Sequence, residues 1–211
     1  MALIKDDIRK RVMQNMGELL PDTDSLNDIL SFDMDSMMNE AHRRVVLTAP
    51  LYLLDEVNSK FNYPDSVNSS EISDGVVHLS KDDFQWLRII SVEFSCWERE
   101  VPGTEVITPN SPLYFRQKNK MTRGGCAKPV VVDCGYELRC YSVPTNSENI
   151  TGVVRYYPDT AITDETFSTS LFNPNLLDAI AWMTTALLFD AMEENGNAEV
   201  ARTRCNELLA L

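Results

Sequence analysis

The stretch from Val76 to Phe94 reads VVHLSKDDFQWLRIISVEF. VVHLS and WLRIISVEF are rich in β-branched and aromatic residues, which pack well on a pleated surface, so both read as strands. Further strands follow at Glu105 to Thr108, Val130 to Asp133, Glu137 to Val143 and Gly152 to Tyr157. Turn signals separate them: Val101-Pro102-Gly103, Pro109 to Pro112, Gly124-Gly125, and Pro144 to Asn149. Residues 76–160 therefore read as a β-rich insertion, an antiparallel sheet or small barrel of about five strands.

The texture outside this insertion is helical. Ile4, Ile8 and Val12 recur every four residues and stripe one face of a helix that Pro21 stops. A second helix runs from Asp35 to Leu47, with Met37, Met38, Ala41, Val45 and Val46 as its apolar face and Asp35 or Ser36 as its cap. Pro50 restarts the chain as a short helix, Leu51 to Val57, and the Asn-, Ser- and Asp-rich run from Phe61 to Gly75 has loop composition. At the other end Asn173-Pro174 reads as an N-cap with Pro at the first helical position. Leu176, Leu177, Ile180, Met183, Leu187 and Leu188 follow at helical spacing, and a last helix from Ala198 packs back through Val200, Cys205 and Leu208. Neither end has enough apolar surface to stand alone, so both are expected to share one core. The expected fold class is α+β. An α-helical bundle is built from residues 1–60 and a C-terminal hairpin, 161–211, with a loop over 61–75 and the β-rich insertion between.

The chain has 211 residues, 44% of them apolar and 24% charged, which supports a sizeable core. With 19 basic against 32 acidic side chains the net charge is −13. A free-standing, non-specific nucleic-acid binder needs a basic footprint, which this balance does not supply. Charge is uneven: residues 1–60 carry 7 basic and 11 acidic side chains, residues 81–160 balance at 10 and 10, and residues 161–211 carry 2 and 8. Charges interrupt the N-terminal MALIKDDIRKRVMQN every few residues, so it has no apolar core for a signal peptide. The most apolar stretch, Leu176 to Phe189, falls short of the roughly 20 residues that span a bilayer, and it contains Asp178. It reads as a buried core or interface helix. Cys96, Cys126, Cys134, Cys140 and Cys205 show no CxxC spacing, and their odd number argues for free thiols in a reducing cytoplasm.

Chemistry-bearing motifs are sparse. GxSxG, HExxH, P-loop and GxGxxG signatures are missing, and only His42 and His78 are present to serve a nucleophile; both read as surface or interface histidines. The acidic runs Asp22-Asp24-Asp28 and Asp33-Asp35-Glu40 fail the EF-hand pattern, which needs Gly at position six and Glu at position twelve; they read as caps and solvated faces. No enzymatic activity, cofactor, metal or catalytic residue is expected. The sharpest local feature is Ser111 to Pro129, SPLYFRQKNKMTRGGCAKP, which holds Arg116, Lys118, Lys120, Arg123 and Lys128 and no acidic residue. Three readings fit it: a solvated hairpin, a loop that docks on an acidic neighbour such as another copy, or a contact to DNA phosphates. Trp86 and Trp97 read as core, and Trp182 as core or subunit contact.

The segments WLRIISVEFSCWEREV, NSPLYFRQKNKMTRGGCAKPVVV and YELRCYSV, followed by the helical hairpin, resemble the head-to-tail connector adaptor or ring proteins of tailed bacteriophages. Within that group the chain is most similar to ring proteins of crAss-like podoviruses. The resemblance runs over roughly residues 80–211 and is most specific over Tyr114 to Pro129. It implies a structural virion protein with no catalytic residues, made in the host cytoplasm and built into the virion neck. It implies a homo-oligomeric ring, usually a dodecamer matching the portal, with the portal and the next tail or ring protein as partners. DNA would pass through the channel without specific binding, and no membrane is involved. Arg116, Lys118, Lys120, Arg123 and Trp182 are the candidate interface residues. The rival expectation is a soluble cytoplasmic binding module without catalytic activity, which solution mass discriminates from a ring.

Overall fold

The structure, a computed structural model, describes residues 4–19, 33–54, 57–63, 75–82, 84–144, 150–159, 162 and 173–210. It is α+β. Residues 1–55 and 160–211 form one compact unit, and residues 56–159 form a second.

The first unit is helical. Its described helices are α1 (Ile4–Leu19), α2 (Met34–Thr48), α4 (Pro174–Ala191) and α5 (Asn195–Leu209). Ile8, Val12 and Met16 bury the stripe of α1, and Met38, Ala41, Val45 and Val46 bury that of α2. α4 packs against α1, α2 and α5, so segments from both ends of the chain do share one core. Asn173 caps α4 by accepting from the Asn175 N–H at 3.0 Å, and Pro174 opens the first turn. α4 buries Leu176, Ile180, Leu188 and Phe189 together with Ala179, Ala181 and Ala186, so it is covered on more than one side. Its buried Thr184 and Thr185 donate to the carbonyls of Ile180 and Ala181, at 2.8 and 2.9 Å, which leaves no hydroxyl unsatisfied. Asp178, the charge inside the apolar stretch, pairs with Arg11 of α1.

Several local expectations are corrected. Asp33 caps α2, accepting from the Ser36 N–H at 3.2 Å, in place of Asp35 or Ser36. Asp35 is instead bound by Lys5 and Arg9 of α1. His42 is buried in α2 and not on the surface. α5 packs through Ala198, Ala201, Cys205 and Leu209, and Val200 faces outward, because the small residues set the face that α4 can approach closely. The acidic run at Asp22 to Asp28 lies outside the described residues.

The second unit has seven strands among its described residues: β1 (Val57–Tyr63), β2 (Val76–Ser80), β3 (Trp86–Phe94), β4 (Val101–Pro102), β5 (Val131–Asp133), β6 (Glu137–Tyr141) and β7 (Ile150–Pro158). They form a four-stranded sheet in the order β1-β7-β3-β4 and a three-stranded sheet in the order β2-β6-β5, with every pairing antiparallel. β1 falls where a short helix and a loop were expected. Its register against β7, from Val57 opposite Tyr156 to Tyr63 opposite Ile150, makes the stretch extended despite its Asn and Ser content. Tertiary pairing overrides composition here. The expected strand at Glu105 to Thr108 is only a single parallel bridge, Ile107 to Val132, beside a one-turn helix over Gly103–Glu105. The expected turn at Val101-Pro102 is the edge strand β4, where Pro is tolerated. β6 ends at Tyr141 because Ser142 takes a left-handed φ of 68°.

One apolar core joins the two sheets: Val77, Leu79, Leu138, Cys140 and Val131 from one, Trp86, Ile89, Val92, Phe94, Ile150 and Val154 from the other, with Trp97 and Val101. Strand alternation sends Val76, Val132 and Tyr141 to the opposite face of the three-stranded sheet. Tyr114 covers them from a short helix, α3 (Pro112–Gln117). Gly103 has a steric reason: a Cβ there would sit 2.0 Å from the Ile89 carbonyl oxygen.

Candidate functional site

The basic segment is not a hairpin. Ser111 caps α3 by accepting from the Leu113 N–H at 3.3 Å, and Pro112 opens the helix. Amphipathic spacing then divides the helix. Tyr114 and Gln117 face inward, while Leu113, Phe115 and Arg116 face out.

Tyr114 is the anchor. Its hydroxyl accepts from Arg139 of β6 at 2.7 Å. Arg139 also donates to Glu137 at 2.6 Å, and Glu137 meets His78 Nδ1 of β2 at 3.0 Å. Burial pushes the Glu137 carboxyl up, but the bonds from His78 and Arg139 outweigh it and hold the carboxyl below its ordinary range. Burial works likewise against the Arg139 charge, and Glu137 and its other neighbours leave the guanidinium more firmly protonated. This row of polar side chains crosses β2, β6 and α3 and fixes the base of the basic segment.

Beyond α3 the chain makes a tight turn. Asn119 Oδ1 accepts from the Met121 N–H at 2.9 Å, and Thr122 Oγ1 donates to the Arg116 carbonyl at 2.7 Å. Arg123 Nε donates to the Gln117 carbonyl at 2.9 Å, with its guanidinium 5.1 Å from the centre of the Tyr141 ring. Gly124 closes the return, where a Cβ would meet the Lys128 carbonyl oxygen at 2.5 Å. Ser142, in its left-handed conformation, bonds the Gly124 carbonyl and accepts from Trp97 Nε1 at 3.2 Å. The turn is thus held at both ends, and what it presents is fixed: Met121 is 92% exposed, Phe115 61% and Leu113 46%.

The candidate residues separate accordingly. Arg116, Lys118 and Lys120 are exposed beside Phe115 and Met121. The Lys118 ammonium lies 4.9 Å from the Tyr114 ring centre and 5.4 Å from that of Phe115. Arg123 is turned inward and braces the turn against β6, so it is a support and not part of the presented surface. Trp182 belongs to the other unit. It is partly buried, and it lines a surface groove of about 340 Å³ with Glu18 of α1 and Arg204, Glu207 and Leu208 of α5. Trp86 and Trp97 are core, 2% and 8% exposed.

An apolar cleft of about 630 Å³ flanks α3, lined by Ile107, Leu113, Ala127, Pro129 and Val130. The Arg99–Glu105 pair, 2.6 Å apart, and Lys128 stand at its rim. Sequence reasoning missed the cleft. Its lining residues Leu113, Ala127 and Pro129 fall inside the basic segment, but nothing in their spacing groups them. No protein-family model and no curated protein matches this chain.

Conventional active-site chemistry finds little support in the thiols. Burial, with Cys126 close by, pushes the Cys96 thiol up to about 11, and burial pushes Cys205 to about 11 and raises Cys134 and Cys140 as well. None of these four is an activated thiolate. Among the described residues no group of three or more His, Cys, Asp or Glu side chains is placed to hold a metal ion. Asp33, Asp35 and Glu40 cap α2 or pair with Lys5, Arg9 and Arg44. Among the described residues no helix is long and apolar enough to cross a membrane. What the second unit presents here is an exposed surface on which cationic and apolar side chains stand together.

Proposed function

We propose that the chain is a non-catalytic head-to-tail connector adaptor of a tailed bacteriophage, forming a ring below the portal through which DNA passes. The observation that carries this reading is the division of charge between the units. The helical unit holds 8 basic and 18 acidic side chains; the β-rich unit holds 11 and 14, with five of its cations inside Ser111 to Pro129. An acidic wall repels phosphate and lets a duplex slide, whereas a cationic and apolar tip suits an acidic protein neighbour. The layout of a helical unit from both ends of the chain with a β-rich insertion supports the resemblance on which the proposal rests. The copies are proposed to close as a dodecamer between the portal and the next tail protein, in the virion. Electron microscopy of the protein mixed with the portal of the same virus tests this: docked rings are expected, and bare portals at saturating protein would overturn it.

The 630 Å³ cleft beside α3 favours a second reading, a monomeric binding module for an apolar peptide segment. A monomeric solution mass with no portal binding would select it.

A further inference from the structure

The two surfaces of interest lie on different units and are opposite in character. The tip of the β-rich unit carries Phe115 and Met121 outward among Arg116, Lys118 and Lys120. The groove of the helical unit has Trp182 and Leu208 as its apolar lining and Glu18, Arg204 and Glu207 as its charged lining, a net charge of −1. We infer that the tip of one copy docks in the Trp182 groove of a second copy, joining copies head to tail. This rests on the ring reading and names the contact that would close it.

Three observations argue for it. First, the tip is built to be exposed. The Asn119–Met121, Thr122–Arg116 and Arg123–Gln117 hydrogen bonds hold it, so little order is lost when it binds. An aromatic ring and a Met beside an Arg are the residue types enriched in interface cores. Second, a groove of about 340 Å³ has room for an aromatic side chain; of the charges that line it Arg204 and Glu207 pair with each other at 3.2 Å, which leaves Glu18 as its net negative charge. Third, charge selects the pairing. Tip against tip would crowd Arg116, Lys118 and Lys120 on their counterparts, and groove against groove would bring two net negative linings together. Tip against groove pairs opposite signs, which steers encounter and disfavours wrong partners. A contact between unlike surfaces is heterologous, and heterologous contacts generate rings when the rotation closes.

The test uses two variants on exposed positions. One changes the tip, Phe115→Asp with Met121→Asp; the other changes the groove edge, Glu18→Lys with Glu207→Lys. Circular dichroism and melting verify that both fold as the parent does. Sedimentation of the parent over a concentration series is expected to show self-association that weakens with added salt, and each variant alone is expected to associate about tenfold more weakly or not at all. The decisive sample is an equimolar mixture of the variants. One intact tip still meets one intact groove, so the mixture should give 1:1 dimers and nothing larger. A parent that stays monomeric at every concentration, a variant that associates like the parent, or a mixture that stays monomeric would each overturn the pairing. Portal docking is read separately. Rings of both variants on the portal would overturn this contact and leave the adaptor reading standing, whereas no ring from the parent would overturn the adaptor reading itself.

Discussion

The two units use the same charged residue types to opposite ends. In the helical unit cations are spent inward, on neighbouring helices: Arg11 on Asp178, Arg202 on Asp190, Lys5 and Arg9 on Asp35. Its carboxylates outnumber them, and among the described residues Glu18, Glu40, Glu193, Glu194, Glu199 and Glu207 are exposed. In the β-rich unit two strand-borne cations are also matched, Arg139 to Glu137 and Arg155 to Glu93 and Glu100. The cations of α3 and its turn are different: among the described residues neither Arg116 nor Lys118 pairs with a carboxylate, and both lie beside exposed apolar side chains. Net charge per chain hides this. A chain at −13 presents a locally cationic surface because placement, and not composition, decides which charges stay exposed together.

The largest expected effects break the comparison at its two tryptophans. Trp86→Ala empties the joint core of the two sheets and should cost about 3–5 kcal/mol in denaturant unfolding. Trp182→Ala removes a groove wall and should cost clearly less, while weakening association. Equal losses in stability would make Trp182 core and remove the groove. Next come the glycines. Gly103→Ala drives a Cβ into the Ile89 carbonyl and should cost on the order of 1–3 kcal/mol. Gly17→Ala, at an exposed position of α1 with nothing within 4 Å of the new Cβ, should stabilise the helical unit by about 0.5–1 kcal/mol. Thermal melts of the two variants should move in opposite directions.

Acid should act on both units with one sign. Burial raises the Asp35 carboxyl, but Lys5 and Arg9 outweigh it, so its folded-state affinity for a proton falls, as it does for Glu137. Carboxyls depressed on folding contribute stability that is present above their unfolded-state range and is lost as pH falls through their folded-state range. Unfolding free energy measured down a pH series should therefore drop below the ordinary carboxylate range. The better shielded Glu137 should carry more of that drop, and Glu137→Gln should flatten it. The smallest effect on stability is expected where assembly changes most. Arg116→Glu with Lys120→Glu should leave the melt within about 0.5 kcal/mol of the parent and weaken assembly with the portal. Unchanged assembly at equal folding would return this segment to a solvated surface.

Regular elements with clear periodicity were legible: α1, α2 and α4 from their four-residue stripes, β2, β3 and β7 from β-branched density. β1 was not, because Ser59 interrupts the apolar set of Val57, Phe61 and Tyr63 and the Asn content reads as loop, and only pairing with β7 makes it a strand. The register of α5 was misread because Val200 and Leu208 outweigh Ala198 and Ala201 by hydropathy, although small residues win where helices approach closely. The site was legible as a charge anomaly, Arg116 to Lys128, and not as a shape. Nothing local says that Arg123 turns inward onto Tyr141 or that the return at Gly124 is tied to Ser142, since both are contacts with distant parts of the chain, whereas the Asn119 turn that carries Met121 is local. The groove at Trp182 brings together residues 18, 182, 204, 207 and 208, a grouping that only the folded helices create.

The most direct measurement is a reconstruction of the protein bound to its portal, at a resolution that places side chains. A closed ring is expected, with Phe115, Met121 and Arg116 of each subunit against the Trp182 groove of its neighbour, and acidic helical surface toward the channel. A ring with Arg116, Lys118 and Lys120 on the DNA, or the chain bound to the portal as isolated copies, would contradict it.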